Sequence, residues 1–521
     1  MSAIVAEADE AAVGAELLVA DCIGSQDRVA ALARCNELRD LVRIELLFVG
    51  RELAALDAEA RGEWLSAAPA NAANALRQMA ALARRELSED REKRLSEHAR
   101  EVTARQARWH NRVTSHTFEH DGQTLTLAAL DSFFDEPDVV RRRAGLGAGA
   151  FALAEVAPEF ADDLESAIGC FRREQRERGR NDPRLKRIEE EGLELAEIEA
   201  LHAAVISRTD QSQRWWSSQA RRSGLPDFSY ADRYAIASDG PVVPAMTADD
   251  ALAASMDTLG AVHPDISNAL RALNAGPSLD LSSRPEKRQD AFCEYLPGPV
   301  PSWVNVAFHP DHPHSTHALA HELGHAVHGA LAAQNGWLAL KLAGAIGEAM
   351  AVFAETLFIE HAGTNPRGAL EQVILGVHRQ TAMMEYEMRL HRAEAPLTAT
   401  TISTAWIDAT APTFGAAVDL AGYEDHWILT PHAIAYPLYT FSYVYGALLA
   451  LRLVELLKAE PRSGGATIAA MMRVGATRRP YEVAAMAGID TTDPATWIDA
   501  LAVIDKRMDA AGIEPLDGPP T

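Results

Sequence analysis

The sequence predicts a mainly α protein. Three observations point that way. Aromatic residues make up only 6% of the chain while alanine is abundant, a balance that favours helices over sheets. Helical apolar patterning runs from the start to about residue 110 and returns from His317 to about Leu457. Strand signals are confined to two short places, His116–Leu127 and Ser282–Thr316.

In chain order, Arg85–Arg112 ("RELSEDREKRLSEHAREVTARQARWHNR") is charged all round, which reads as a solvated helix. Next, "HTFEHDGQTLTL" alternates apolar and polar residues around Asp121-Gly122, the signal of a hairpin. A helix resumes at "DSFFDEPDVVRRRAGLGAGAFALAEV", with Asp131 or Ser132 as its cap. Gly145, Gly147 and Gly149 within it lack a preceding strand and the GxGxxG spacing, so they read as close helix packing. Phe171–Val205 reads as two charged helices broken near Gly179–Pro183. Ser282–Thr316 holds six prolines and short apolar runs, of which "SWVNVAF" is the clearest strand. The apolar stretch Trp337–Ile359 carries Lys341, Glu348 and Glu355, so it reads as a buried helix of a large core and not as a membrane span. A loop is expected at Glu460–Gly465 and a frayed end at the terminal "GPPT".

With 521 residues the chain is long enough for two or three domains or one large helical body. The formal charge, 49 basic minus 74 acidic residues, is −25. That acidity argues against nucleic acid or an anionic membrane as partner and suits a cytoplasmic enzyme. Cys22, Cys35, Cys170 and Cys293 are scattered, which suits free thiols in a reducing compartment. The opening "MSAIVAEADEAAVGAELL" is acidic and does not read as a secretory signal.

Chemistry concentrates in "HALAHELGHAVHGA", His317–Ala330. On a helix His321 and His325 share a face one turn apart, so each can direct a nitrogen at one ion. Glu322 then reaches beside the ion and not onto it. This is the HExxH arrangement of two zinc ligands and a carboxylate that takes a proton from water. The bland alternative is a surface helix with stray histidines. The surrounding alanines, leucines and valines oppose it, because buried unpaired ionisable groups are destabilising. Catalytic zinc usually takes a third protein ligand, and Glu348 stands 23 residues after His325 on an apolar helix. Glu355, seven residues on, returns to the same face as a partner that orients a ligand histidine. A salt bridge at the helix end is the alternative for Glu355. The histidines of "HPDHPHSTH" (His309, His312, His314, His317) lack an organising carboxylate or cysteine pattern and read as loop residues. His328 reads as helix packing or as a neighbour of the ion. A second dense region, Tyr423–Gly446, offers His432, Tyr436, Tyr439, Tyr443 and Tyr445, of which the last two read as core aromatics.

Together "THALAHELGHAVHG", "GEAMAVFAE" and "HWILTPHAIAYPLYTFSYVYG" resemble the thimet oligopeptidase and oligoendopeptidase F family of zinc peptidases, the oligoendopeptidase F branch more closely. The resemblance implies one zinc ion per chain, held by His321, His325 and Glu348, with Glu322 as general base and acid. It implies that His432 and Tyr439, with Tyr436, bind substrate backbone and stabilise the oxyanion. "AFCEYLPGPVPSWVNVAF" resembles the family segment that ends in an edge strand, where an extended peptide can pair. "DEPDVVRRRA" and "RGRNDP" extend the likeness into the amino-terminal part. The family differs in carrying a glycine pair where this chain has Gln289-Asp290, and Tyr-Ala-Thr where it has Tyr443-Val444-Tyr445.

The same resemblance implies a large helical two-lobed body enclosing a deep substrate channel, with a small β element near the active-site helix and a hairpin in the amino-terminal region. The expected division is an amino-terminal helical lobe at 1–205, a catalytic lobe at 206–515 and a flexible tail at 516–521. The expected activity is a cytoplasmic zinc endopeptidase acting on short peptides, with no nucleic acid or membrane partner. Two rivals remain open at the sequence level. One is a zinc carboxypeptidase of the helical HExxH type, which needs a fixed group to grip a free C-terminus. The other is a non-catalytic peptide-binding protein with structural zinc, against which the intact Glu322 argues.

Overall fold

Among the described residues, two short sheets interrupt otherwise helical structure, in line with the composition. The structure, a computed structural model, describes residues 26–134, 136–233, 245–284, 286–296, 302–310, 313–363, 366–394 and 396–516, with the single positions 7, 10, 11 and 17 before them.

Among the described residues, the helices Gln26–Glu45, Leu47–Ala55, Ala58–Ala67 and Ala70–Ala83 precede α1 (Glu89–Ser115). Helix α1 is not solvated all round. Trp109 is buried and donates from Nε1 to the Ile428 carbonyl, and buried Glu92 accepts from both Nη atoms of Arg178. The hairpin forms as expected from β1 (Thr117–His120) and β2 (Gln123–Thr126), paired antiparallel. Asp121 and Gly122 both have positive φ, 49° and 73°, the twist that a two-residue turn of this hand needs.

A short helix α2 (Leu130–Phe134) leads to α3 (Val139–Glu177), 39 residues long. The cap is Asp138, not Asp131 or Ser132, because only Asp138 directly precedes the long helix. Its carboxylate accepts from the amides of Val140 and Arg141 at 2.8 and 3.0 Å. The glycine reading holds for two of three positions. A Cβ on Gly145 or Gly149 would run into Phe133 or Leu130, whereas Gly147 faces open space. After the expected break comes the short helix α4 (Leu185–Glu191).

The second sheet runs in the order β3 (Leu279–Asp280), β5 (Ser302–Asn305), β4 (Phe292–Tyr295), which leaves β4 at an edge. Lys287 is fully buried beneath it, donating to the carbonyls of Asp280, Ser282 and Val306 and pairing with the Asp280 carboxylate. Then come α5 (Pro313–Ala332), α6 (Gly344–Ala362), α7 (Pro366–Ile374), α8 (Gln380–Arg392), α9 (Phe441–Ala459) and α10 (Pro461–Val474).

Two expectations fail here for local reasons. Trp337–Ile359 is not one helix. A short turn, Trp337–Leu340, stops at Lys341, and α6 begins afresh at Gly344. Glu460–Gly465 is not a loop, since Pro461 opens α10, where its missing N–H costs nothing. Gly464 and Gly465 serve close packing instead: a Cβ on Gly465 would strike the Val262 carbonyl.

One continuous apolar core contains residues from Trp109 to Ile513, and α5, α6 and α9 lie within it. Glycines set their spacing. A Cβ on Gly324 of α5 would sit 2.7 Å from both Ala351 Cα and the Met350 carbonyl of α6, and one on Gly446 of α9 only 2.5 Å from Glu348 Cβ. Among the described residues, no helix is long and apolar enough to cross a membrane.

These contacts make the stability of two sites testable. The neighbours of Gly324 are backbone atoms that cannot swing away, so Gly324→Ala should cost about 1–3 kcal/mol. Denaturant unfolding reads this, and an unchanged midpoint would show the helices free to separate. Asp232 is buried between Arg142 and Arg143, accepting at 2.7 and 2.6 Å. Asp232→Ala leaves the buried Arg142 guanidinium without a carboxylate, while Arg143 keeps Asp227, and should cost about 3–5 kcal/mol. Burial works against the Asp232 charge, but hydrogen bonds from Arg143 and Arg142 hold its carboxyl below the ordinary value. The folded pKa is therefore the lower one. Its stabilisation is complete above the unfolded value of about 4 and is lost as pH falls through the folded one. An acid-unfolding midpoint that does not differ between wild type and Asp232→Ala would contradict this.

Candidate metal centre

His321 and His325 project from α5 one turn apart, their rings 5.0 Å apart and nearly perpendicular. Glu348 comes from α6, held close by the Gly324 and Gly446 contacts. One nitrogen from each histidine and one oxygen of Glu348 lie within 4.8 Å of one another, the only such group among the described residues. Glu355, two turns after Glu348, accepts from His321 Nδ1 at 3.2 Å. This bond leaves His321 Nε2 facing Glu348, 3.6 Å away.

Glu322 is buried, and it lines the same cavity as these residues. Burial pushes its carboxyl up to about 7 and raises that of Glu348. Burial also works to lower His321, but its hydrogen bond to Glu355 and the neighbouring carboxylates outweigh this and lift it to about 9. His325 is pushed well down by burial and by the His321 charge. Carboxylates so crowded in a low-dielectric site favour a cation among them. Two imidazole nitrogens and a carboxylate oxygen, open on one side to a cavity, are donors that suit zinc and related divalent ions.

That cavity has a volume of about 730 Å³. Edge strand β4 forms one wall through Phe292, Cys293 and Tyr295. The Tyr295 hydroxyl lies 3.4 Å from His325 Nδ1, a contact that the sequence does not signal. Tyr436, Tyr439 and Tyr443 form another wall. Tyr443, read from sequence as core, packs its ring against Tyr439 at 5.2 Å with its edge in the cavity wall. Tyr445 is fully buried, as expected. His432 does not line the cavity. It packs against Tyr436 and Tyr443, with ring centroids 6.2 and 6.0 Å away, and its buried Nε2 has no hydrogen-bond partner among the described residues.

Side chains from distant segments fix these walls. Glu191 of α4 accepts from the Ala345 amide at 3.0 Å, capping the helix that carries Glu348. Arg187, one turn earlier, donates to the Pro437 carbonyl at 3.2 Å. Glu387 of α8 is fully buried and accepts from the Leu438 amide at 2.5 Å. Leu438 has φ 59°, a left-handed conformation that a leucine rarely adopts and that these two bonds hold in place. Gly344 leaves room for the Tyr439 hydroxyl, which any Cβ there would strike.

The other histidines take no part in this cluster. His328 is fully buried outside the cavity lining and burial holds it neutral, so it is a packing residue. His309 is exposed, with Nε2 near the Ser283 hydroxyl, and His317 is buried. His312 lies outside the described residues, as does the side chain of His314.

Residues 274–503, somewhat under half the chain, match the family model of peptidase family M3. A comparison with curated protein sequences returns no match. Among solved structures, PZ peptidase A with an inhibitor superposes with a TM-score of 0.80 at 13% identity, covering 97% of this chain and 91% of that one. Oligoendopeptidase F from Enterococcus faecium gives 0.71 at 17% identity, with 98% and 90% covered. Metallocarboxypeptidase 1 of Trypanosoma cruzi gives 0.59 at 15% identity, with 96% and 97% covered. The helical fold is thus shared nearly end to end with oligoendopeptidase F. Residues 274–503 are thus similar to peptidase family M3, a match that supports a peptidase, on a helical fold shared with oligoendopeptidase F.

Proposed function

We propose that this peptidase is a zinc-dependent endopeptidase that hydrolyses internal bonds of short oligopeptides in the reducing setting of the cytoplasm. The observation that carries the reading is the convergence of His321, His325 and Glu348 within 4.8 Å, beside buried Glu322 and an edge strand in one cavity. His321, His325 and Glu348 hold one zinc ion. When bound, the ion supplies Lewis acidity to the scissile carbonyl and to the attacking water.

An extended peptide adds to the free edge of β4, so main-chain hydrogen bonds hold it whatever its side chains. Glu322 takes a proton from the attacking water and passes it to the leaving amine nitrogen. A buried carboxylate raised towards neutral pH is suited to both halves of that transfer. Glu355 fixes the ring of His321 through Nδ1, which leaves Nε2 for the metal. Tyr439 donates its phenolic proton to the oxyanion. Burial and the nearby Glu348 charge hold its pKa above the ordinary value, so it remains a donor throughout the working range. His432 assists from behind Tyr436 and Tyr443, and Tyr436, 56% exposed, meets the substrate backbone. Unpaired Cys35, Cys170 and Cys293 agree with a reducing compartment.

The test is cleavage of peptides of graded length, with blocked and with free ends, read by mass spectrometry. Internal cuts in blocked peptides should appear with wild type and vanish under a zinc chelator. Glu322→Gln should lower the rate by about 10²–10⁴-fold, the usual worth of a positioned base. Trimming from free C-termini alone would instead mark a carboxypeptidase. No cleavage by folded, zinc-loaded protein would leave only the binding-protein alternative.

A further inference from the structure

Three arginines line the cavity: Arg288, Arg379 and Arg507. Two of them are committed elsewhere. Arg288 makes a two-pronged pair with Asp290 at 2.6 and 2.5 Å, and Arg507 donates to Glu360 at 2.8 Å. Arg379 is exposed on the cavity wall and has no carboxylate or hydrogen-bond partner among the described residues.

Its backbone setting is unusual as well. Arg379 ends a π-turn, Leu375–Arg379, inserted between α7 and α8. Such a turn holds one residue more than a helix and redirects the side chains that follow, and here Arg379 and Gln380 both line the cavity. Tyr436 lines the same cavity, and the Arg379 charge adds to burial in holding His432 below its ordinary pKa. Apart from His321 in the metal cluster, the remaining charged side chains among the described lining residues, Asp290, Glu322, Glu348, Glu355 and Glu360, are all acidic. Away from the metal cluster, an anionic group on a bound peptide meets acidic side chains among the described lining residues except at this one uncommitted guanidinium. A guanidinium presents a planar fork that matches a carboxylate by two parallel hydrogen bonds.

We propose that Arg379 is the specificity-determining residue that grips a carboxylate of the bound peptide, either its C-terminus or an acidic side chain. This rests on the peptidase reading and deepens it. Anchoring one end of a short peptide at Arg379 fixes which bond lies at Glu322, so the enzyme measures the distance from carboxylate to cut.

The experiment uses matched peptides: C-terminal acid against C-terminal amide, and internal Glu against Gln. Each is assayed with wild type, Arg379→Gln and Arg379→Lys. Wild type should favour the carboxylate form by about 10- to 100-fold in kcat/KM, mostly through KM, as a charge-assisted hydrogen-bond pair provides. The preference should vanish in Arg379→Gln and survive in part in Arg379→Lys, which keeps the charge without the fork. Whether it resides in the acid/amide or the Glu/Gln arm identifies the source of the carboxylate. Calorimetric Kd values for the same peptides on Glu322→Gln, with and without Arg379→Gln, give the ratio without turnover. If wild type cleaves nothing, the endopeptidase reading fails while this binding ratio still reports on Arg379. No preference in wild type, or one that persists in Arg379→Gln, overturns the proposal.

Discussion

The contact on which the rest depends is the glycine-close approach of α6 to its neighbours. At Gly324 and Gly446 the helices α5 and α9 come so near that no side chain fits between them and α6. That spacing places Glu348 and Glu355 of one helix against His321 and His325 of the next, inside a core otherwise made of apolar side chains. Apolar packing there is far from neutral about its contents. It makes every charge in the cluster expensive unless a partner answers it, and a cation that several donors share answers more of them at once than any single salt bridge.

A second layer of contacts holds the walls of the cavity. Helix α4, distant in sequence from the metal cluster, contributes Glu191 to the start of α6 and Arg187 to the Pro437 carbonyl. Through these two side chains the helix fixes both the segment bearing Glu348 and the turn bearing Tyr439. From the other side Glu387 holds the same turn through the Leu438 amide. The left-handed Leu438 is a strained point whose conformation the surroundings over-determine, which is how a side chain on a loop, here Tyr439, acquires the precision of one on a helix.

How much of this could be read beforehand depends on the range of each interaction. His321, Glu322 and His325 were legible because four-residue spacing is a local property of one helix. Glu348 and Glu355 were legible because two carboxylates in an apolar helix have few other uses. The hairpin was legible in Asp121-Gly122, whose positive φ values the turn requires. Glu191, Arg187, Glu387 and Tyr295 were not legible, since each becomes significant only when a segment far away in sequence folds against it. The errors have the same origin. Gly464 and Gly465 signalled a loop but serve a helix contact with Val262, and the uniform charge of α1 concealed Trp109 and Glu92, which neighbours bury. Arg379 carried no signal at all, because its interest lies in what it does not touch.

The central claim is that the three donors brought together by this packing form one metal site. Calorimetric titration of chelator-stripped protein with zinc tests it most directly. The predicted result is a single site per chain, tight in wild type and weakened by orders of magnitude in His325→Ala and in Glu348→Gln, with both variants still folded by circular dichroism. Stoichiometric binding that is indifferent to both substitutions, or no binding by the folded wild-type chain, would contradict it.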